Sequence, residues 1–82
     1  MTDVQYDLLD ELYFVISFTD LEERVELERE ILLKEIHQLF EQGWVRVFKS
    51  PDDTMDYEKI DDQLLANSYL LASKQGLKAH NS

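Results

Sequence analysis

Residues 27–45, LEREILLKEIHQLFEQGWV, contain the pattern that decides the fold. Apolar residues recur at the i, i+4 and i+7 positions, which lie on one face of a helix: Leu32, Ile36 and Leu39. Gly43 follows four residues after the last of them, where a left-handed helix end favours glycine. A β-prone run begins at the next residue. The stretch therefore predicts an amphipathic helix over residues 28–42 that ends in a tight turn and leads directly into a strand.

The segment before this helix has two interpretations, because no glycine or proline interrupts residues 21–42. In one, a turn near residues 26–27 separates a helix over residues 20–25 from the helix over residues 28–42. In the other, residues 20–42 form a single long helix. The single helix would place two glutamates in its heptad seam, and such residues weaken a coiled coil. We therefore predict the turn.

Capping signals predict the start of the first two helices. Thr2 and Gln5 have capping-box spacing and predict a first helix over residues 3–18. Thr19 and Glu22 repeat that spacing before the second helix. The first helix has more apolar residues than one face requires. We therefore expect it either to be central to the core or to meet another chain.

The second half of the chain predicts a β-hairpin followed by an insertion. Residues 44–49 are typical of a strand with two apolar faces. Residues 50–53 contain a proline followed by two aspartates, which favours a turn, and a short return strand is predicted over residues 54–57. A helix with Asp56 as its cap is predicted over residues 57–67. As an insertion, this helix is placed to cover the outer apolar face of the first strand.

Composition indicates one small acidic domain over residues 1–82. The net charge is −10, and the first 43 residues hold twelve acids against only three bases. Binding to nucleic acid or to an anionic membrane depends on lysine and arginine, so this charge opposes both. The absence of cysteine excludes disulfides and thiolate chemistry. We find no signal-peptide pattern and no apolar run of membrane-spanning length, and we expect a cytoplasmic protein.

Residues 17–49 and 68–78 resemble the winged helix-turn-helix superfamily, and the MarR-like branch is the most similar. The resemblance depends on scaffold positions that match in type and spacing: Leu27, Leu32, Ile36, Leu39, Gly43, Trp44 and Val45. After a last strand over residues 68–72, Ser-Lys-Gln-Gly at residues 73–76 is similar to the Thr-x-x-Gly that opens a final helix in that family. The resemblance implies an α+β winged-helix domain, with three helices, a short antiparallel wing holding the helical insertion, and a short C-terminal helix. An all-helical hairpin with a minor β-hairpin is the alternative.

The resemblance also implies a DNA-binding transcriptional regulator, but the positions that would face DNA are unsuitable. On the recognition helix (residues 28–42) they are Glu28, Arg29, Glu30, Leu33 and Lys34. The tip of the wing brings Asp52 and Asp53. Because carboxylates are repelled by phosphate, we expect no autonomous DNA binding. A regulator would need dimerisation to gather its cations into one stripe, or a basic partner: the available cations are Arg29, Lys34, Arg46 and Lys49.

No residue pattern points to an enzyme, a metal or a cofactor. Asp52 begins an alternating acidic run, but Tyr57 and Gln63 occupy the positions where a calcium loop requires glycine and glutamate. His37 and His80 have no second histidine at ligand spacing, and we predict both as surface or boundary side chains. There is neither a nucleophile elbow nor a glycine-rich phosphate loop. We therefore predict a non-enzymatic protein without metal, cofactor or small-molecule ligand.

These observations favour a non-enzymatic protein–protein interaction module, with homodimerisation among its expected uses. The predicted surface combines the recognition helix with the first helix: Arg29, Leu33, Lys34, His37, Tyr6, Tyr13 and Phe14. Leu33 is the sharpest candidate, because it points about 100° away from the inward face of its helix. The rival hypotheses are the regulator and an acidic decoy that occupies the nucleic-acid site of a basic protein. A solvated acidic surface with no particular partner is the plainest interpretation.

Overall fold

The computed structural model describes residues 1–81, without the side chain of Thr54. Helices and strands alternate along the chain in this order: α1 (Asp3–Glu11), β1 (Ile16–Ser17), α2 (Phe18–Arg24), α3 (Arg29–Glu41), β2 (Val45–Ser50), β3 (Asp53–Asp56), α4 (Asp62–Ala66), β4 (Tyr69–Ala72) and α5 (Lys74–His80). The prediction of a mixed α+β fold is confirmed, and the all-helical alternative is wrong.

The four strands form one antiparallel sheet in the order β1-β4-β2-β3. Strand β4 lies between β2 and the two-residue β1, and its Leu70 is opposite both Val47 and Ile16. Strand β3 pairs with the other edge of β2, with an irregular register near Ser50. Strand β3 and helix α4 lie in the chain between the neighbouring strands β2 and β4, so the predicted return strand and the helix after it are both present.

A turn separates α2 from α3, which confirms the predicted break and excludes the single long helix. Val25 leaves α2 in an extended conformation, with φ −98° and ψ 133°. Glu28 is also extended, at φ −62° and ψ 146°, and precedes α3 without a side-chain capping hydrogen bond. Val25 and Leu27 pack partly against the core, so the turn is held by apolar contacts.

The end of α3 has the hydrogen bonds of a Schellman motif. Gly43 has a φ of +77° and donates its N–H to the Phe40 carbonyl at 3.0 Å. The N–H of Trp44 donates to the Leu39 carbonyl at 2.9 Å. These two bonds satisfy carbonyls that the helix leaves unpaired, and glycine alone adopts the required conformation without strain. The predicted left-handed helix end is confirmed.

The predicted first helix over residues 3–18 is wrong beyond Glu11. The capping box of Thr2 and Gln5 is present, but residues 16–17 form β1, which pairs with β4. The predicted cap at Thr19 is also wrong, because the Ser17 hydroxyl accepts the Asp20 N–H at 3.1 Å and α2 begins at Phe18. Apolar residues of this segment are buried in helix, loop and strand alike, so helical spacing was not diagnostic.

The predicted helix over residues 57–67 begins too early. The N–H of Tyr57 donates to the Val47 carbonyl at 2.9 Å, which continues the hairpin beyond β3. The cap of α4 is Asp61, whose side chain accepts the Leu64 N–H at 2.8 Å. Asp56, predicted as the cap, binds Arg46 instead.

The core lies between the helices and one face of the sheet. Fully buried side chains come from α1, α2, α3, α4, β2, β4 and the loop after α1: Leu8, Leu9, Leu12, Phe18, Leu21, Leu32, Ile36, Leu39, Val47, Phe48, Leu65 and Leu70. Strand β2 is buried on both faces, through Val47 and Phe48, as its sequence predicted. Burial of Leu8 and Leu9 turns the acidic face of α1 outward, and this orientation positions the surfaces described next.

Candidate interaction surface

Arg29, at the start of α3, is engaged within the molecule. Its guanidinium donates to both carboxylate oxygens of Glu22, at 2.9 and 3.0 Å, and lies 5.5 Å from the centre of the Phe18 ring. The hydrogen bond from Arg29, assisted by its positive charge, lowers the pKa of Glu22, against an opposing effect of desolvation. The same contact raises the pKa of Arg29. The charge of Arg29 is thus balanced locally by a carboxylate.

The other residues predicted on α3 differ in their contacts and in their exposure to solvent. His37 Nε2 lies 2.8 Å from Asp62 Oδ1 at the start of α4, so α4 contacts this part of the helix. Leu33 is half-buried and packs partly against the core. Lys34 is exposed. Of the four residues predicted on this helix, Arg29 and Lys34 are exposed, and Arg29 is held by Glu22.

Arg46, the third candidate DNA contact, lies on β2 and is paired with an acid. Its Nε donates to the Asp56 carboxylate at 3.0 Å, and its guanidinium lies 5.5 Å from the centre of the Phe48 ring. Lys49 is exposed on the same strand. Arg29 and Arg46 are thus both paired with carboxylates of the same chain.

Tyr6 and Tyr13 both contact His80 in α5. The Tyr6 ring stacks on the imidazole with centroids 4.1 Å apart, and the Tyr13 oxygen lies 2.9 Å from His80 Nδ1. The Tyr13 hydroxyl also donates to Asn81 Oδ1 at 3.1 Å. His80 is only 8% exposed, so its prediction as a surface or boundary residue is wrong. Its partners lie far away in the sequence, and no local pattern identifies them.

Phe14 is the most exposed large apolar residue described, at 82% of its surface. It lies in the loop between α1 and β1, between Tyr13 at 40% and Val15 at 41% exposure. Val15 was not among the predicted surface residues, although it belongs to the same apolar run. The signal in the sequence is a run of apolar residues longer than one helical face can bury.

The surface formed by α1, this loop and α2 contains two adjacent grooves. The first, which we call the α1 groove, lies between α1 and the α2–α3 turn and has a volume of about 280 Å³. Its apolar walls are Val4, Leu8, Val25 and Leu27. Its charged rim consists of Asp7, Glu11, Glu26 and Arg24.

The second groove, the Phe14 groove, lies between the same loop, α2 and the β2–β3 turn, with a volume of about 350 Å³. Its apolar walls include Phe14, Val15, Pro51 and Tyr69, and its charged residues are Glu11, Asp20 and Arg24. Glu11 and Arg24 border both grooves, and their side chains are 3.5 Å apart. Sequence analysis missed the grooves, because each is formed by segments that meet only in the folded chain.

Comparison with protein-family models, with curated proteins and with solved structures found no match. Within residues 1–81, no helix is both long enough and apolar enough to cross a membrane. The same residues contain no group of three or more histidine, aspartate or glutamate side chains arranged to hold a metal ion. A proposal about function must therefore depend on the exposed residues and grooves described above.

Proposed function

We propose that this protein is a non-enzymatic protein–protein interaction module on a winged-helix scaffold. The scaffold is supported by the order of its elements: α2 and α3 flank a short turn, β2 follows, and β4 lies between β1 and β2. In this interpretation β2 and β4 are the strands of the wing. Strand β3 and helix α4 are then an insertion between them.

The exposure of Phe14 is the observation that carries the interaction function. An aromatic side chain that is 82% exposed has no role in the core of this chain. Its neighbours Tyr13 and Val15 are 40% and 41% exposed, and Phe14 and Val15 both line a groove. Contiguous apolar surface is typical of interaction sites, and aromatic residues are enriched among those that contribute most binding energy.

The DNA-binding regulator is the second candidate, and the helix-turn-helix arrangement of α2 and α3 favours it. The distribution of charge opposes it, since Glu22 neutralises Arg29 and Asp56 neutralises Arg46. The acidic decoy remains a third candidate, whose binding would depend on Glu28, Glu30, Asp52 and Asp53. These three candidates predict different results in two experiments.

The first experiment measures fluorescence anisotropy of random-sequence duplex DNA during titration with the protein at low salt. We expect no binding, because a chain of net charge −10 gains nothing from releasing the counterions of DNA. Binding that weakens steeply with added salt would restore the regulator to first place.

The second experiment places a photo-crosslinking phenylalanine analogue at position 14 and, as a control, at position 55 in cells that produce the protein. Met55 is 81% exposed, so the two probes are matched in accessibility. We expect a defined protein cross-linked from position 14, displaced by excess unlabelled protein and absent from position 55. Equal labelling from both positions would contradict the interaction function. In the same assay, the decoy predicts that neutralising its four acids abolishes capture.

A further inference from the structure

We propose that the α1 groove and the Phe14 groove together bind a cationic amphipathic segment of a partner protein. This inference rests on the proposed interaction function and specifies the chemistry of the partner. It commits to a segment whose apolar side chains enter the two grooves and whose lysines or arginines meet the acidic rim.

The two grooves are adjacent, because Glu11 and Arg24 border both, and we call the pair the track. Their volumes are about 280 and 350 Å³. The smallest pockets that bind small ligands have a volume of about 300 Å³. Two adjacent depressions of this size suit two successive apolar anchors of a peptide. The walls available to such anchors are Val4 and Leu8 on one side and Phe14 and Val15 on the other.

The rim of the track is strongly acidic. Asp7, Glu11, Glu26 and Asp20 border it, and Arg24 is the one cation among the described residues that line it. Unequal charge of this kind attracts a cationic partner during diffusion and rejects an anionic one.

The ion pair between Glu11 and Arg24 is placed to open when a ligand arrives. Its atoms are 3.5 Å apart, and the side chains are 36% and 63% exposed. Exposed pairs of this length contribute little to stability, so a ligand cation can replace Arg24 beside Glu11 at small cost. Displacing the Arg24 side chain would join the two grooves.

A second copy of this chain does not satisfy the same requirements. Each copy has a net charge of −10, so self-association would bring further acidic groups towards an acidic rim. Anionic lipid and nucleic acid are opposed for the same reason. The charge of the track therefore selects a basic protein segment as the occupant.

The test uses a synthetic peptide of four repeated Leu-Lys-Lys-Leu units as the probe, and a peptide with glutamate in place of lysine as its control. Titration is followed in the ¹⁵N–¹H NMR spectrum of the full chain. We expect the lysine peptide to perturb Val4, Phe14 and Val25 and to bind more weakly as salt is added. The glutamate peptide is expected to leave the spectrum unchanged.

Two double variants with the same change in net charge separate the groove from general attraction. Asp7→Asn with Glu26→Gln removes rim charge, whereas Glu41→Gln with Glu58→Gln removes equal charge at exposed positions that line neither groove. We expect the first pair to weaken peptide binding about tenfold and the second pair less than about twofold. Equal weakening by both pairs would overturn the groove assignment.

Apolar contact is tested by Phe14→Ala against Met55→Ala, since the two residues are 82% and 81% exposed and neither truncation affects the core. Weaker peptide binding is expected only for Phe14→Ala. A concentration-dependent dimer that covers the track would identify a second copy as the occupant and overturn the inference. If a natural partner cross-links from position 14 through an acidic or neutral segment, the inference fails while the interaction function stands. Absence of any specific cross-link from position 14 would instead remove the interaction function.

Discussion

Replacing Gly76 by alanine adds one methyl group and should lower the stability of the fold strongly. Gly76 lies in α5 against the start of β2, where an added Cβ would be 2.0 Å from the Trp44 carbonyl oxygen. The same carbonyl accepts the Ser73 N–H at 2.9 Å, so the backbone at this contact is fixed by a hydrogen bond. We predict that Gly76→Ala lowers the free energy of unfolding by about 3 kcal/mol, measured by urea denaturation. Gln75→Ala, at an exposed position of the same helix, should change it by less than about 0.5 kcal/mol; equal stability of the two variants would contradict this close approach.

The pair of Glu22 and Arg29 should give the protein a specific response to acid. Because Arg29 lowers the pKa of Glu22 in the folded chain, the pair stabilises the fold above the ordinary glutamate value of about 4.3. That contribution is lost as the pH falls through the lower, folded value. We predict that Arg29→Gln raises the titration midpoint of Glu22, followed by NMR of its side-chain carboxyl carbon. Arg24→Gln removes a cation that pairs with Glu11 instead, and should leave the Glu22 midpoint unchanged.

At the scale of the element, α3 begins at a residue that does not cap it. Glu28 has the extended conformation of an N-cap but makes no side-chain capping hydrogen bond. A serine hydroxyl at this position can accept an N–H of the first turn. We predict that Glu28→Ser raises the free energy of unfolding by about 0.5–1 kcal/mol, measured by thermal denaturation. Glu26→Ser changes a residue of the same turn that is not a cap; a similar gain there would indicate charge removal and not capping.

The elements that sequence analysis identified correctly are those specified by neighbouring residues. The Schellman end at Gly43 depends on hydrogen bonds within a few residues. The break between α2 and α3 was predicted from the two glutamates that a single helix would place in its heptad seam. Strand β1 was missed, because its two residues become a strand only by pairing with Leu70 and Tyr69, more than fifty positions away. The candidate site divides in the same way. Phe14 could be predicted to be exposed, because its segment has more apolar residues than one helical face can bury. The grooves could not be predicted, because they depend on how distant segments of the chain pack together.

The distribution of charge over the whole molecule connects the proposed site with the stability of the fold. The acids that border the grooves attract a cationic ligand, but the same acids repel one another in the unbound protein. A cationic segment that binds there relieves this repulsion. Ligand binding and thermal stability should therefore be linked through one electrostatic cause.

Self-repulsion of the acidic surface should make this protein more stable at higher salt. The molecule extends 29 Å along its longest axis, and the screening length is about 30 Å at 0.01 M salt but about 3 Å at 1 M. All charges therefore interact at low salt, and only adjacent charges interact at high salt. We predict that raising sodium chloride from about 0.01 M to about 0.5 M increases the free energy of unfolding by about 1 kcal/mol, equivalent to about 4–8 °C in melting temperature. Asp52→Asn with Asp53→Asn should reduce the gain, because part of the repulsion is already removed. A melting temperature that falls with salt would mean that attractive ion pairs such as Glu22 with Arg29 outweigh the net charge of −10.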